Sequence, residues 1–370
     1  MMLEGSDRLS YELTLMSFAS NIHDAHVVFS STDYHNRLEQ FDHIFGRYVA
    51  PVRVTEAEGH LVVDKQIFIS RRYEHTLMPG DIVLEINGIN IDEVVADMLQ
   101  YVSYPNEEKA LFFLANFFMI LRQHSADAPM EFKVLRDGVE LMAEAQAVNR
   151  QSHAHSFFSP PTSIHQRLEN NIGLINPSRI QAGDIPVIME YFADTNGLIV
   201  DLRQNTSGGS SILQLAEYLV EETQLFIRIA VPSQATPGVF VDFSRNYSGG
   251  FRGQCAYAFL YKNNVVVLIN EGTLSVREFQ AMSLRNGSNV TVMGSNSIGA
   301  NGNITRLPLP GGVTMRFSGL GVFTPEGGQT QRIGLSPDIR VERTVAGIRD
   351  GRDELLEAAI QHLTGNPFPR

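Results

Sequence analysis

Cysteine is almost missing from this chain. Cys255 is the only one in 370 residues, so no disulfide can form within the chain, and a single thiol says nothing firm about redox compartment. Basic charge is also short. Lys and Arg number 29 against 41 Asp and Glu, for a formal net charge of -12. A nucleic-acid partner is therefore not expected, because binding phosphates needs clustered cations. No apolar run reaches the roughly 18 residues that a membrane-spanning helix needs. The longest, Leu111 to Leu121, is broken only by Asn116 and reads as a buried or lid helix. The opening residues, Met1 to Ser6, lack the basic region and apolar core of a signal peptide. The expectation is a cytoplasmic protein or one read without its export signal. Metal-ligand spacing is missing too. His23 and His26 form a His-x-x-His pair, and His153 and His155 lie close together, but neither pair has further ligands at a recognisable distance. No metal and no cofactor are implied.

What is present is a well-stocked interior. Hydrophobic residues make up 43%, too many for a disordered chain, and the length exceeds one core, so two or three domains are expected. Leu15, Phe18, Ala19 and Ile22 recur at helical spacing over 8–23, and the pair Val27 and Val28 starts a strand right after His26. From about 48 to 148 the pattern is short strands. These are Val52/Val54, Leu61–Val63, Ile67–Ile69 and Ile82–Ile86, the last running into the hairpin signal Asn87-Gly88. Helices follow over 92–103 and 106–124, then a strand Glu131–Leu135 and a turn at Arg136-Asp137-Gly138. A connector rich in His, Ser and Pro covers 150–165.

Beyond about 168 strands and helices alternate. Strands are read at Ile172–Ile175, Gly197–Leu202, Val265–Ile269 and Val290–Met293, with helices at 184–194, 211–220 and 275–284. Glycine-punctuated strands follow near 304–309 and 314–323, and a last helix at 352–363. Alternation of this kind predicts an α/β core with parallel pairing. The domains are then 1–47, an N-terminal helix and histidine-bearing segment of the core; 48–149, an α+β domain with a helical insertion; and 150–370, the main α/β core.

Two segments carry chemistry. In Val265–Glu278 an apolar strand delivers the chain to Asn270-Glu271-Gly272-Thr273-Leu274, and a helix begins near Ser275. A serine there has its hydroxyl at a helix N-terminus, where free N–H groups favour negative charge developing on a substrate oxygen. The structural alternative is a capping box, with Ser275 capping the helix and Glu278 reaching back. In Gly197–Ser210 a strand runs into the turn Gly208-Gly209, which can expose N–H groups as an oxyanion hole or merely give a permissive turn. Cys255 has no partner motif and reads as packed.

Together these segments resemble the tail-specific, or C-terminal processing, serine peptidases. Asp201-Leu202-Arg203-Gln204-Asn205 with Gly208-Gly209 matches that family's Asp-Leu-Arg-x-Asn-x-x-Gly-Gly. Asn270-Glu271-Gly272-Thr273-Leu274-Ser275 with Glu278 matches its nucleophile segment, and Gly334-Leu335-Ser336-Pro337-Asp338-Ile339 its closing motif. A helix with Asp353, Leu355 and Leu356 follows, as in the family. The resemblance covers about 168–366. It implies a crotonase-like α/β core, peptide hydrolysis through an acyl-enzyme on Ser275, and no metal. Met78-Pro79-Gly80-Asp81 through Asn87-Gly88 resembles the hairpin of the PDZ domains in such proteases, which implies recognition of extended peptide ends.

The usual base of that family is a lysine, and its position is held here by Ala300. A serine without a base is a poor nucleophile. The tricorn-like branch instead uses a histidine from an N-terminal segment, and His26 matches it, with Ala25 where that branch has serine. The expected mechanism has His26 taking the Ser275 proton and the N–H groups of Gly208 and Val276 holding the oxyanion. Glu278 supports the loop. Gln331, with Glu326 nearby, matches a glutamate of the tricorn-like branch that belongs to the histidine's network. Asp24 is near His26 in sequence but need not face it, so the residue that orients the imidazole stays open. The resemblance implies a polypeptide substrate and a periplasmic or cell-envelope location; homo-oligomer formation is left open. The competing expectation is a non-catalytic binder of peptides or apolar ligands on the same fold, with Phe112–Leu121 lining its pocket. A third, a crotonase-type acyl-thioester enzyme, shares the core but gets no support from the PDZ-like segment.

Overall fold

The computed structural model describes residues 7–31, 42–67, 76–118, 120–151, 163–181, 183–203, 210–221, 224–243 and 259–365. The chain divides into two compact units. One comprises Met1–Ser159 with Arg306–Phe317 and Arg343–Asp353; the other comprises Pro160–Thr305 with Ser318–Glu342 and Glu354–Arg370. The division read from sequence sets 1–47 apart from 48–149 and keeps 306–317 and 343–353 in the C-terminal core. In the fold all of these cluster in the first unit.

The first unit is built on an antiparallel sheet. Its strands run in the order Val52–Ala57, His60–Gln66, Ile82–Ile86, Met130–Arg136 and Val139–Ala145, with Ile89–Asn90 folded back on Ile82–Ile86. Met130, Phe132 and Val134 point inward while Glu131 is exposed, the period-two signature of a half-buried strand. Its hairpins turn on two residues at positive φ. These are Asn87 and Gly88 (50° and 77°), Asp137 and Gly138 (54° and 78°), and Glu58 and Gly59 (53° and 80°). Such a pair twists with the strands it joins. Asn90 caps the helix Ile91–Leu99 by accepting from Asp92 N at 2.8 Å, and Asn106 caps Glu107–Phe117 by accepting from Lys109 N. Both helices carry acidic residues in their first turns, which suits the positive end of the helix dipole.

Phe112, Phe113, Leu114 and Ala115 are buried, and their helix lies on the strand Val52–Ala57. These four are core residues, whereas Phe118 of the same run lines a small pocket with Met16, Val27 and Phe45. The helix read over 106–124 stops at Phe117, because Arg122–Gln123 pairs instead with Tyr48–Val49 in a small sheet completed by Val148–Asn149. The helix read over 92–103 likewise ends at Leu99. Asp81 is fully buried and holds the Pro-Gly-Asp turn. Its carboxylate accepts from Arg136 Nε at 2.6 Å, Arg136 Nη2 at 2.7 Å and Met78 N at 2.8 Å. Gly80, at φ +88°, has no room for a side chain: an added Cβ would lie 2.6 Å from Arg349 Cβ. Arg349 belongs to the helix Val345–Arg349, whose Val345 and Ile348 pack on Ala57 and Val62. Val28–Ser31 pairs antiparallel with Val313–Ser318.

The second unit is a mixed α/β layer structure. Six strands lie in the order His165–Leu168, Ile172–Ile175, Gly197–Asp201, Val265–Ile269, Val290–Gly294 and Ile339–Arg340. The first pair is antiparallel and the rest are parallel. All five residues of Val265–Ile269 are buried. Val265, Val267 and Ile269 join one core, while Val266 and Leu268 join another that includes Ala358 and Ala359 of the helix Glu354–Thr364. A strand covered on both faces reads as the unbroken apolar run seen in the sequence. Asp184–Tyr191 and Val276–Leu284 are α-helices, whereas the helix read over 211–220 is a 3₁₀ helix, Ser210–Tyr218. A second sheet, Phe240–Asp242, Arg228–Pro232 and Gly321–Phe323, was not foreseen. Among the described residues no helix is long and apolar enough to cross a membrane.

Candidate active site

The C-terminal ends of parallel strands are where α/β sheets gather their loops and their ligands. Val265–Ile269 ends at Asn270, and the chain makes a tight loop before the helix Val276–Leu284. The loop is internally braced. Thr273 N donates to Asn270 O at 2.8 Å, Asn270 N to Thr273 Oγ1 at 3.0 Å, and Gly272 N to Asn270 Oδ1 at 2.9 Å. It is also tied to the neighbouring strand end, since Thr273 Oγ1 donates to Leu202 O at 3.0 Å. Gly272 runs so close to that strand that an added Cβ would fall 2.3 Å from Arg203 O. The fold thus brings the 201–203 and 270–275 motifs side by side. Arg203 itself is held by Asp201, donating from Nε at 2.9 Å and Nη2 at 2.8 Å.

Ser275 stands between loop and helix, partly exposed, with φ 56° and ψ -115°. An L-residue pays about 1–3 kcal/mol for such a backbone, and it persists only where the surroundings impose it. Its hydroxyl makes no capping bond. The capping-box reading is therefore corrected. A capping serine needs an extended backbone to aim its oxygen at the helix N–H groups, and Ser275 does not have one. Val276, as the first helical residue, has an N–H with no intrahelical acceptor.

Glu278 does not reach back to the cap either. It is fully buried, and its carboxylate accepts from Ser297 Oγ, from Gly299 N at 2.9 Å and from Ala300 N at 3.0 Å. The helix that follows Ser275 thereby clamps the 297–300 loop. Ser297 continues the chain of bonds, accepting from Leu335 N at 2.7 Å, while Ser297 N donates to Leu335 O. Asp338, in the same closing motif, accepts from Val292 N at 2.8 Å and so fastens that motif to the sheet. Gln331 acts at the next residue along. Its Nε2 donates to Asn301 O at 2.9 Å and Leu320 O at 2.7 Å, and its Oε1 accepts from Val322 N. Both amide hydrogens thus serve backbone carbonyls of this unit. Arg277 is buried beside the site. Burial pushes its pKa down to about 10, opposed by the charge of Asp201, so it stays cationic at neutral pH.

His26 belongs to the first unit and is buried. Burial lowers its pKa below the ordinary 6.5, with Asp24 pulling the other way, so at neutral pH the imidazole is uncharged and able to accept a proton. Gly208, Gly209, Cys255, His153 and His155 lie outside the described residues. Gly272 and Thr273 stand within the serine motif, but the sequence gives them no separate role, and it gives none to Ser297. Ser297 has no local signal, because it meets Glu278 only through the fold.

The comparisons with known proteins agree with this architecture. Residues 171–341 match peptidase family S41. A carboxy-terminal-processing protease of Bartonella bacilliformis is 24% identical over 260 residues, 67% of this chain and 52% of that protein. The chain thus spans about half the length of that curated relative. In fold it is similar to mature CPAF complexed with lactacystin, with 15% identity and a TM-score of 0.66 over 97% of this chain and 90% of that one. A second structure of mature CPAF gives 16%, 0.64, 97% and 89%. Ser275, Glu278 and Gln331 all fall within residues 171–341, the segment that is similar to peptidase family S41.

Proposed function

We propose that this protein is a serine endopeptidase that hydrolyses polypeptides through an acyl-enzyme on Ser275. His26 takes the hydroxyl proton as Ser275 attacks the peptide carbonyl, then gives it to the amine that leaves as the C–N bond breaks. The N–H groups of Gly208 and Val276 hold the oxyanion, and the same histidine then activates the water that releases the acyl group. Glu278 and Gln331 support the loop at 297–301. In this reading the second unit is a crotonase-like core, and the antiparallel sheet with its two helices is a PDZ-like domain that takes extended peptide ends as an added strand. A periplasmic or cell-envelope setting goes with it.

The observation that carries the proposal is the backbone of Ser275. A strained residue at a strand-to-helix turn, freed from capping, is the arrangement that presents a nucleophilic hydroxyl. The second reading, a non-catalytic peptide- or apolar-ligand binder, draws on Ala300: it supplies no amine, and its N–H is bound to Glu278. A fluorophosphonate probe separates the two. The peptidase is labelled, loses labelling in Ser275→Ala and is labelled far less in His26→Ala. A folded protein that takes no label is the binder.

A further inference from the structure

The residue that orients His26 is left open by the sequence, and the structure of the first unit points to one. Asp24, Ala25, His26 and Val27 form a tight turn closed by Val27 N donating to Asp24 O at 3.0 Å. Within it His26 N donates to Asp24 Oδ1 at 2.9 Å. This is an Asx-turn, in which an aspartate side chain fixes the backbone two residues on. It places a carboxylate in the same turn as a buried imidazole.

Among the described residues, the turn is fastened to the segment at Ser103 and Tyr104. Asp24 N donates to Ser103 Oγ at 3.0 Å. The His23 ring lies edge-on to Tyr104 at 5.3 Å, with Nδ1 3.3 Å from Tyr104 O. His23 itself is held at φ 55°, so the entry to the turn is strained as well. The titratable groups on the packed segment are Tyr104 and Glu107. They bind one another, Tyr104 Oη donating to Glu107 Oε1 at 2.7 Å, and the phenol is pushed up to about 12, chiefly by burial and then by Glu107. Tyr104 therefore stays neutral across the working range.

We infer that Asp24 is the positioning residue of His26: its carboxylate fixes the backbone that bears the imidazole and supplies the negative charge that supports the imidazolium, with Ser103 and Tyr104 as the platform. The inference rests on the proposed peptidase reading for its role in turnover, but the pairing itself can be tested without activity. Burial disfavours a charged imidazole in the resting protein, so a base in this place needs a compensating anion once it takes a proton.

The test is the titration of His26 in the full-length protein, followed by NMR, with its signal assigned by its loss in His26→Gln. It is measured in wild type, in Asp24→Asn and in Asp24→Ser. Both substitutions keep an oxygen for the His26 N–H but remove the charge, and if one does not fold the other serves. The expected result is a downward shift of the His26 pKa in either variant. The acid limb of kcat/KM should move down with it, and kcat should fall about tenfold at pH 7. A His26 titration that coincides with wild type, even if the variants are less stable, overturns the inference and leaves Asp24 a turn residue only. If wild type proves inactive, the peptidase reading fails, and the titration alone still decides the pairing.

Discussion

Asn87 and Ser275 hold nearly the same unfavourable φ, 50° and 56°, in different units of one chain. At Asn87 the conformation belongs to a two-residue hairpin, and the residue type suits it. Asparagine tolerates the left-handed region, and its Oδ1 accepts from Glu131 N at 2.8 Å. At Ser275 nothing local asks for it. The loop is drawn in by Thr273 on Leu202 and by Gly272 against Arg203, and the helix is anchored through Glu278. One turn is dictated by its own residues and the other by its surroundings, and only the second leaves a hydroxyl unassigned to structure.

Substitutions at the two turns and their anchors should differ in size and in kind. The largest effect is on chemistry. Ser275→Ala should lower turnover of an unfolded polypeptide by about 10⁴-fold while leaving the thermal midpoint near wild type. Next is the anchor. Glu278→Ala leaves three buried donors without their carboxylate and should cost about 4 kcal/mol in a urea unfolding curve. Gly272→Ala forces a methyl group onto Arg203 O and should cost about 3 kcal/mol by the same measurement.

The turns themselves come next. Ser275→Gly should raise stability by about 1 kcal/mol while abolishing activity, because glycine relieves the strain. Asn87→Ala should lower stability by about 1 kcal/mol. Equal signs for these two would mean that the two turns are held alike. The smallest effect is on pH dependence. The pKa of His26 is lowered in the fold, so the unfolded chain binds a proton that the folded one resists. The contribution of this group to stability is complete above pH 6.5 and shrinks as pH falls below it. Histidine-to-glutamine replacement at position 26 should flatten that part of a stability-against-pH series.

What the sequence made legible follows the same division. The hairpin at Asn87-Gly88, the turn at Asp137-Gly138 and the buried strand Val265–Ile269 are written in neighbouring residues. Val139–Ala145 escaped because Val139 and Met142 are apolar yet exposed, which blurs its alternation. Arg122–Gln123 was read as helix because its role is set by partners at Tyr48 and Val49. The serine motif was found, but capping and nucleophile readings use the same residues at the same spacing. Only a backbone angle separates them.

The threading of the chain has a practical consequence for anyone dissecting it. Residues 343–353 return to the first unit, where Val345 and Ile348 cover Ala57 and Val62 and Arg349 closes over Gly80. Residues 313–316 likewise return to pair with Val28–Ser31. A fragment ended near residue 159 would carry bare apolar patches and an unzipped strand, so it would be prone to self-association. To be isolated, this half would need its two late segments spliced back on or supplied as peptides.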